Sequence, residues 1–317
     1  MRRLLFLAAL AAAPAPAETI YVSNERANTI SVIDAATLAV TATWPVGRRP
    51  RGILLSRDGK QLYVCASDEN AVQVIDRATG RVVADLPSGE DPETFALSPD
   101  GTLLFASNER DATVTAIDVP GRRVAFQVVV GVEPEGMAVS PDGRFAVSTS
   151  ETDNAVHWID IASRQVVGET PTDDRPRHAE FTADGRQLWV SAELGNSVAV
   201  IDTGTRKVID TIRFTVPGIA LEKVMPVQIR FTPDRRRAVI ALGRGNAVAI
   251  VDAASRKVEA VVPVGPRVWG VAISPDGRRA FSANGLSDSV SVIDLATAKT
   301  IGTIAVGRAP WGVVVAP

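Results

Sequence analysis

The chain has 317 residues, of which 34 are basic and 36 acidic, for a formal net charge of −2. A balance this close to neutrality, with no basic run, argues against nucleic acid as a partner. The single cysteine, Cys65, excludes an internal disulfide and leaves the redox compartment unreadable from thiols.

The N-terminus reports compartment instead. Met1-Arg2-Arg3 is a basic start, Leu4 to Ala13 an apolar run, and Ala15-Pro16-Ala17 an A-x-A cleavage site. This reads as a secretory signal peptide over residues 1–17, too short to span a bilayer, with Glu18 as the mature terminus and the periplasm as destination. No cysteine follows the cleavage site, so a lipid anchor is not expected.

From Thr19 onward the chain is one repeated unit. An aspartate closes a short Val/Ile-rich strand at Asp34, Asp76, Asp118, Asp160, Asp202, Asp252 and Asp294, spaced 42 residues apart except for one interval of 50. Residues 134–160 show the unit in full. Gly136 to Ser140 is a strand, SPDG at 140–143 a turn, Arg144 to Ser148 a second strand, and Ala155 to Ile159 a third strand that ends in Asp160. A fourth strand follows each aspartate, from Val40 to Val46 in the first copy to Thr300 to Val306 in the last.

Four short strands every ~42 residues is the period of propeller blades, and the unbroken repeat argues for a single domain over residues 18–317. Seven aspartates predict an all-β, seven-bladed β-propeller. The chain opens on a second-type strand (Thr19 to Ser23) and ends on a first-type strand (Trp311 to Ala316). The ring is therefore expected to close by pairing the C-terminal strand with the N-terminal blade, which removes two raw sheet edges. The recurring aspartates are expected to cap backbone N–H groups of the following turn rather than to bind metal.

Tyr21-Val22-Ser23-Asn24, the looser Leu62-Tyr63-Val64 and Phe105-Ala106-Ser107-Asn108, and the V-I-D, S-P-D-G and P-V-G-x-x-P elements resemble the YVTN family of β-propeller repeats. With seven repeats behind a signal peptide, the chain most resembles the periplasmic propellers associated with PQQ-dependent alcohol catabolism. That resemblance implies a non-catalytic binding or scaffold protein. Its partner would be a periplasmic quinoprotein dehydrogenase or cytochrome c, or a small metabolite.

In a propeller the first strand lines the channel, and the links between blades share one face with the turns after the second strand. That top face varies from copy to copy, so function is sought there. Two residues per link reach the channel mouth. The first reads Arg51, Glu93, Glu135, Arg177, Val227, Trp269 and Trp311; the second is usually glycine, but is Thr94, His178 or Gln228 in three copies. The only insertion, Thr215 to Val224, emerges beside His178 and Gln228, and the second top turn adds Glu25, Glu109, Glu151 and Glu193. The expected binding site is therefore Arg51, Glu93, Glu135, Arg177, His178, Gln228, Trp269 and Trp311. A competing reading makes the charges solvated rim pairs worth about 0–1 kcal/mol, and the tryptophans packing at a blade junction.

Chemical motifs are sparse. The histidines are His157, expected to pack within its strand, and His178. CxxCH, metal-ligand spacing and G-x-S-x-G are lacking, so no resident cofactor or metal is expected. Quinoproteins that hold PQQ are typically larger, with a tryptophan-rich docking motif in each blade. A monomer is expected. The alternative function is a lactonase-like hydrolase at the channel mouth, where Arg51, Glu93, Glu135, Arg177 and His178 polarise a carbonyl and place a water.

Overall fold

The structure is a computed structural model that describes residues 18–317, so the signal peptide expected over 1–17 lies outside the described residues. These residues form seven four-stranded antiparallel sheets, each with its strands in chain order from the channel outward apart from the closing one. The closing sheet, blade 1, places Pro310–Ala316 inside Thr19–Asn24, followed by Thr29–Asp34 and Val40–Pro45. Thr19 pairs with Ala316 and Tyr21 with Val314, so the expected clasp is present.

Local chemistry explains the repeat. In the S-P-D-G turns the serine hydroxyl donates to the aspartate, as Ser98 Oγ does to Asp100 at 2.6 Å, and the glycine takes the left-handed backbone that closes the turn. The aspartates that end each third strand cap the following turn as expected. Asp34 Oδ1 accepts from the Ala36 and Thr37 amides and the Thr37 hydroxyl, and these hydrogen bonds, led by the Thr37 amide, hold its carboxyl below the usual range. The pairing of third and fourth strands slips by one residue in every blade, at Val32/Ile33 in the first and Val292/Ile293 in the last. Such bulges deepen the twist that fans a blade outward.

The core is distributed. Seven apolar clusters lie one at each junction between adjacent blades, including the junction between blades 7 and 1. Between blades 4 and 5, Trp158 is fully buried with Phe145 and Phe181 edge-on to it at 5.9 and 6.1 Å. Because strands pair within blades and side chains pack between them, the first strands are held rigidly around a central channel. That channel positions the site.

Candidate functional site

Three layers of sequence converge at the top of the channel. The first comes from the start of each inner strand: Arg51, Glu93, Glu135 and Arg177, followed round the ring by Trp269 and Trp311. Serine hydroxyls from the neighbouring second strands fix these starts, with Ser23 donating to Arg51 O at 2.6 Å and Ser107 to Glu135 O at 2.5 Å. Between the inner strands the backbones touch. A Cβ on Gly136 would stand 2.6 Å from Arg177 O, which explains glycine at that level.

The second layer was not anticipated from the sequence. Arg49, Asp91, Arg175 and Arg267 lie two residues before the inner-strand residues just named, and all four adopt the left-handed backbone (φ 55 to 61°). The third layer is Glu25, Glu109, Glu151 and Glu193 from the second top turns. Arg51 pairs with Glu93 and, at 3.0 Å, with Glu25. Arg49 reaches Asp91, Glu93 and Glu109 at 2.5, 2.8 and 3.7 Å. Arg177 pairs with Glu151, lies 3.0 Å from Glu135 and 3.7 Å from Glu193, and Arg267 pairs with Glu193 at 2.7 Å.

The collar closes through the indoles. Trp269 and Trp311 stack at 6.3 Å, with the Arg177 guanidinium over Trp269 and that of Arg51 over Trp311 at 5.4 and 5.9 Å. Glu93, Glu135, Arg177 and Trp311 are buried. The weak solvated rim is therefore corrected. These charges sit out of water, where losing a partner is costly.

Electrostatics follow from that burial. Omitting the exposed Arg110 and Asp68, the collar has five guanidiniums (Arg49, Arg51, Arg175, Arg177, Arg267) and seven carboxyls (Glu25, Asp91, Glu93, Glu109, Glu135, Glu151, Glu193). Two of the carboxyls hold their protons unusually well. Burial, only partly opposed by Arg177, raises Glu135 to about 7, and burial together with the nearby Glu135 pushes Glu93 well up. Glu193 goes the other way, because Arg177 and Arg267 outweigh its burial. Two buried donors in the collar, Arg177 Nε and Trp311 Nε1, have no hydrogen-bond partner among the described residues.

A cavity of about 820 Å³ extends from Glu135, Arg177 and the two tryptophans down the channel, within the range of small-molecule sites. His178 lines it but does not join the collar. Its Nε2 is 3.1 Å from Arg230 Nη1, and burial pushes its pKa well down, so it is a neutral imidazole. Gln228 acts as a strut, its Oε1 accepting from the Val271 amide of the next blade at 2.7 Å. The insertion lies on the top as expected, with Val224 buried and Val216 and Ile219 packed on the core between blades 5 and 6. His157, 3.1 Å from Ser150 Oγ, takes with it the place of Ser31 and Asn24 in blade 1, so this pair latches a blade.

Fold and site define a seven-bladed β-propeller with a buried arginine–glutamate collar over its channel. A family model for the lactonase seven-bladed β-propeller matches residues 137–304, more than half of the 317 residues, and the chain belongs to that family. Models for the YNCE-like β-propeller and the cytochrome D1 heme domain match residues 9–96 and 57–177. Among solved structures, the periplasmic gluconolactonase PpgL of Pseudomonas aeruginosa is 21% identical, with a TM-score of 0.79 and coverage of 95% of this chain and 99% of that one. Hydrazine synthase of Kuenenia stuttgartiensis is 23% identical, with a TM-score of 0.78 and coverage of 88% and 92%. A functionally unknown protein from Desulfotomaculum acetoxidans is 16% identical, with a TM-score of 0.80 and coverage of 94% and 98%. At these identities the likeness is one of fold. No curated protein matches the sequence.

Proposed function

We propose that this protein hydrolyses uncharged sugar lactones at the upper end of its channel. The observation that carries the reading is Glu135: a buried carboxyl on the cavity wall, poised near 7 and 3.0 Å from Arg177. A general base works best with a pKa near the working pH. In its ionised form Glu135 takes a proton from a water that attacks the lactone carbonyl carbon. The carbonyl electron pair moves onto oxygen, where the positive charge of Arg177 on the cavity wall stabilises the oxyanion. Collapse expels the ring oxygen, which takes the proton back from Glu135, and the product is a hydroxy acid. Membership of the lactonase family and the fold shared with a periplasmic gluconolactonase support this reading.

The preference for an uncharged substrate comes from the pairing. Each collar guanidinium already faces at least one carboxylate, so a phosphorylated or carboxylated lactone finds no spare positive charge. Export to the periplasm, expected from the leader, belongs to the same proposal. The test is acid release from gluconolactone above the buffer rate, with Glu135→Gln as control. Turnover that Glu135→Gln abolishes supports the proposal. A blank from the wild-type protein overturns it and returns the scaffold role, with a quinoprotein dehydrogenase or cytochrome c as partner, to first place.

A further inference from the structure

We infer that the channel below the collar is a second site, which holds a small carboxylate with an apolar body against Arg230. Arg230 and Glu180 lie three residues below the collar layer on their strands, about 10 Å at ~3.3 Å per residue. Arg230 Nη1 is fully engaged, with Glu180 Oε2 at 2.6 Å, His178 Nε2 at 3.1 Å and its own carbonyl neighbour Ile229 O at 3.4 Å. Its Nε and Nη2 make no hydrogen bond among the described residues, and the side chain remains 32% exposed on the cavity wall. Nε and Nη2 are the side-on fork that matches the two oxygens of a carboxylate.

The surroundings favour an anion. Arg57 and Arg235 line the same cavity near its lower opening, so this part has three guanidiniums against the single carboxylate of Glu180. The aspartates of the lower turns are absent from the wall and spend their oxygens within their own turns, as Asp234 does on the Thr232 hydroxyl and the Arg236 amide. Glu180 is tied down as well, its second oxygen accepting from the Phe231 amide at 3.4 Å. Arg235 stands where five of the six copies of this turn have glycine, and it adopts the glycine's left-handed backbone at φ 61°. At Arg230's own level the rest of the wall is apolar, with Leu54, Ala96, Ala138 and Val314 among its side chains. A guanidinium fork ringed by apolar side chains suits an aliphatic carboxylate, and the hydroxy acid of the proposed reaction shares the head group. The inference does not depend on lactone hydrolysis.

Calorimetric titration of the full protein with hexanoate, and with uncharged hexanamide, tests it. Hexanoate is expected to bind and hexanamide is not, and Arg230→Gln should weaken hexanoate by about tenfold or more. Arg230→Lys keeps the pair with Glu180 and the fold but loses the fork, so it should weaken hexanoate too. Glu135→Gln should leave hexanoate binding intact while abolishing turnover, which separates this site from the reaction. Equal affinity for acid and amide, unchanged affinity in Arg230→Lys, or no heat from hexanoate at concentrations on the order of tens of millimolar overturns the inference.

Discussion

Arg177 stands 3.0 Å from Glu135 while also pairing with Glu151, and all three side chains are at most 6% exposed. One guanidinium thus holds together carboxylates from blade 4's inner strand and its top turn. Arg177→Ala leaves these carboxylates buried without their cation, and a broken buried pair costs about 3–5 kcal/mol. Urea unfolding should show that loss, and lactone turnover should fall with it. A midpoint equal to wild type would mean that the collar is hydrated and weakly coupled.

Glu135 also predicts a pH dependence. Its folded pKa of about 7 lies above its unfolded value of 4.5. The stabilisation is fully present below 4.5 and is lost as pH rises towards 7, because the unfolded chain gives up the proton first. Glu93 acts in the same direction. The wild-type Tm should therefore be lower at pH 8 than at pH 5, and Glu135→Gln should shrink the difference. Over the same range kcat/KM should rise through an apparent pKa near 7. Identical Tm profiles for the two proteins would rule out the buried proton.

Cys65 is fully buried in the second strand of blade 2, and burial, with Glu93 nearby, pushes its thiol well up. A thiol so placed is unreactive. A disulfide reagent should leave the native protein untouched and label it stoichiometrically in urea. Native labelling at the rate of a free thiol would show that blade 2 opens locally.

Arg235 carries a left-handed backbone that costs a non-glycine residue about 1–2 kcal/mol. Arg235→Gly should stabilise the protein by up to about 1 kcal/mol, since the gain is partly offset by a more flexible unfolded chain. The same change removes one guanidinium from the lower channel and should weaken hexanoate binding. A lower Tm would show that the arginine makes a compensating contact.

The blades, their number, the clasp and the turn-capping aspartates were legible because each follows from short-range rules repeated in register. Part of the collar was legible too. Arg51, Glu93, Glu135 and Arg177 occupy one position of the repeat, and the glutamates of the second top turn occupy another. Arg49, Asp91, Arg175 and Arg267 give no such signal, although they are separated by multiples of 42 residues, plus eight across the insertion. Three of them precede a proline, a position biased to extended backbone, and nothing in an arginine advertises a positive φ. The burial of these charges was equally hidden, since it arises from seven strands converging rather than from any one copy. Its position after Arg177 puts His178 at the channel mouth in the sequence reading, but its partner, Arg230, lies in the next blade and lower in the channel.

The clasp has a bearing on how the ring comes together. Thr19 and Ala316 pair across 297 residues of chain (316 − 19), whereas every other sheet is made from neighbouring segments. Six blades can assemble locally, each as a meander, while blade 1 must wait for the two ends to meet. Joining such distant segments carries the largest loop entropy in the molecule and slows folding. It also makes opening cooperative. Freeing one strand exposes two apolar junctions at once, so the seven blades rise and fall as a unit rather than as a string of independent modules.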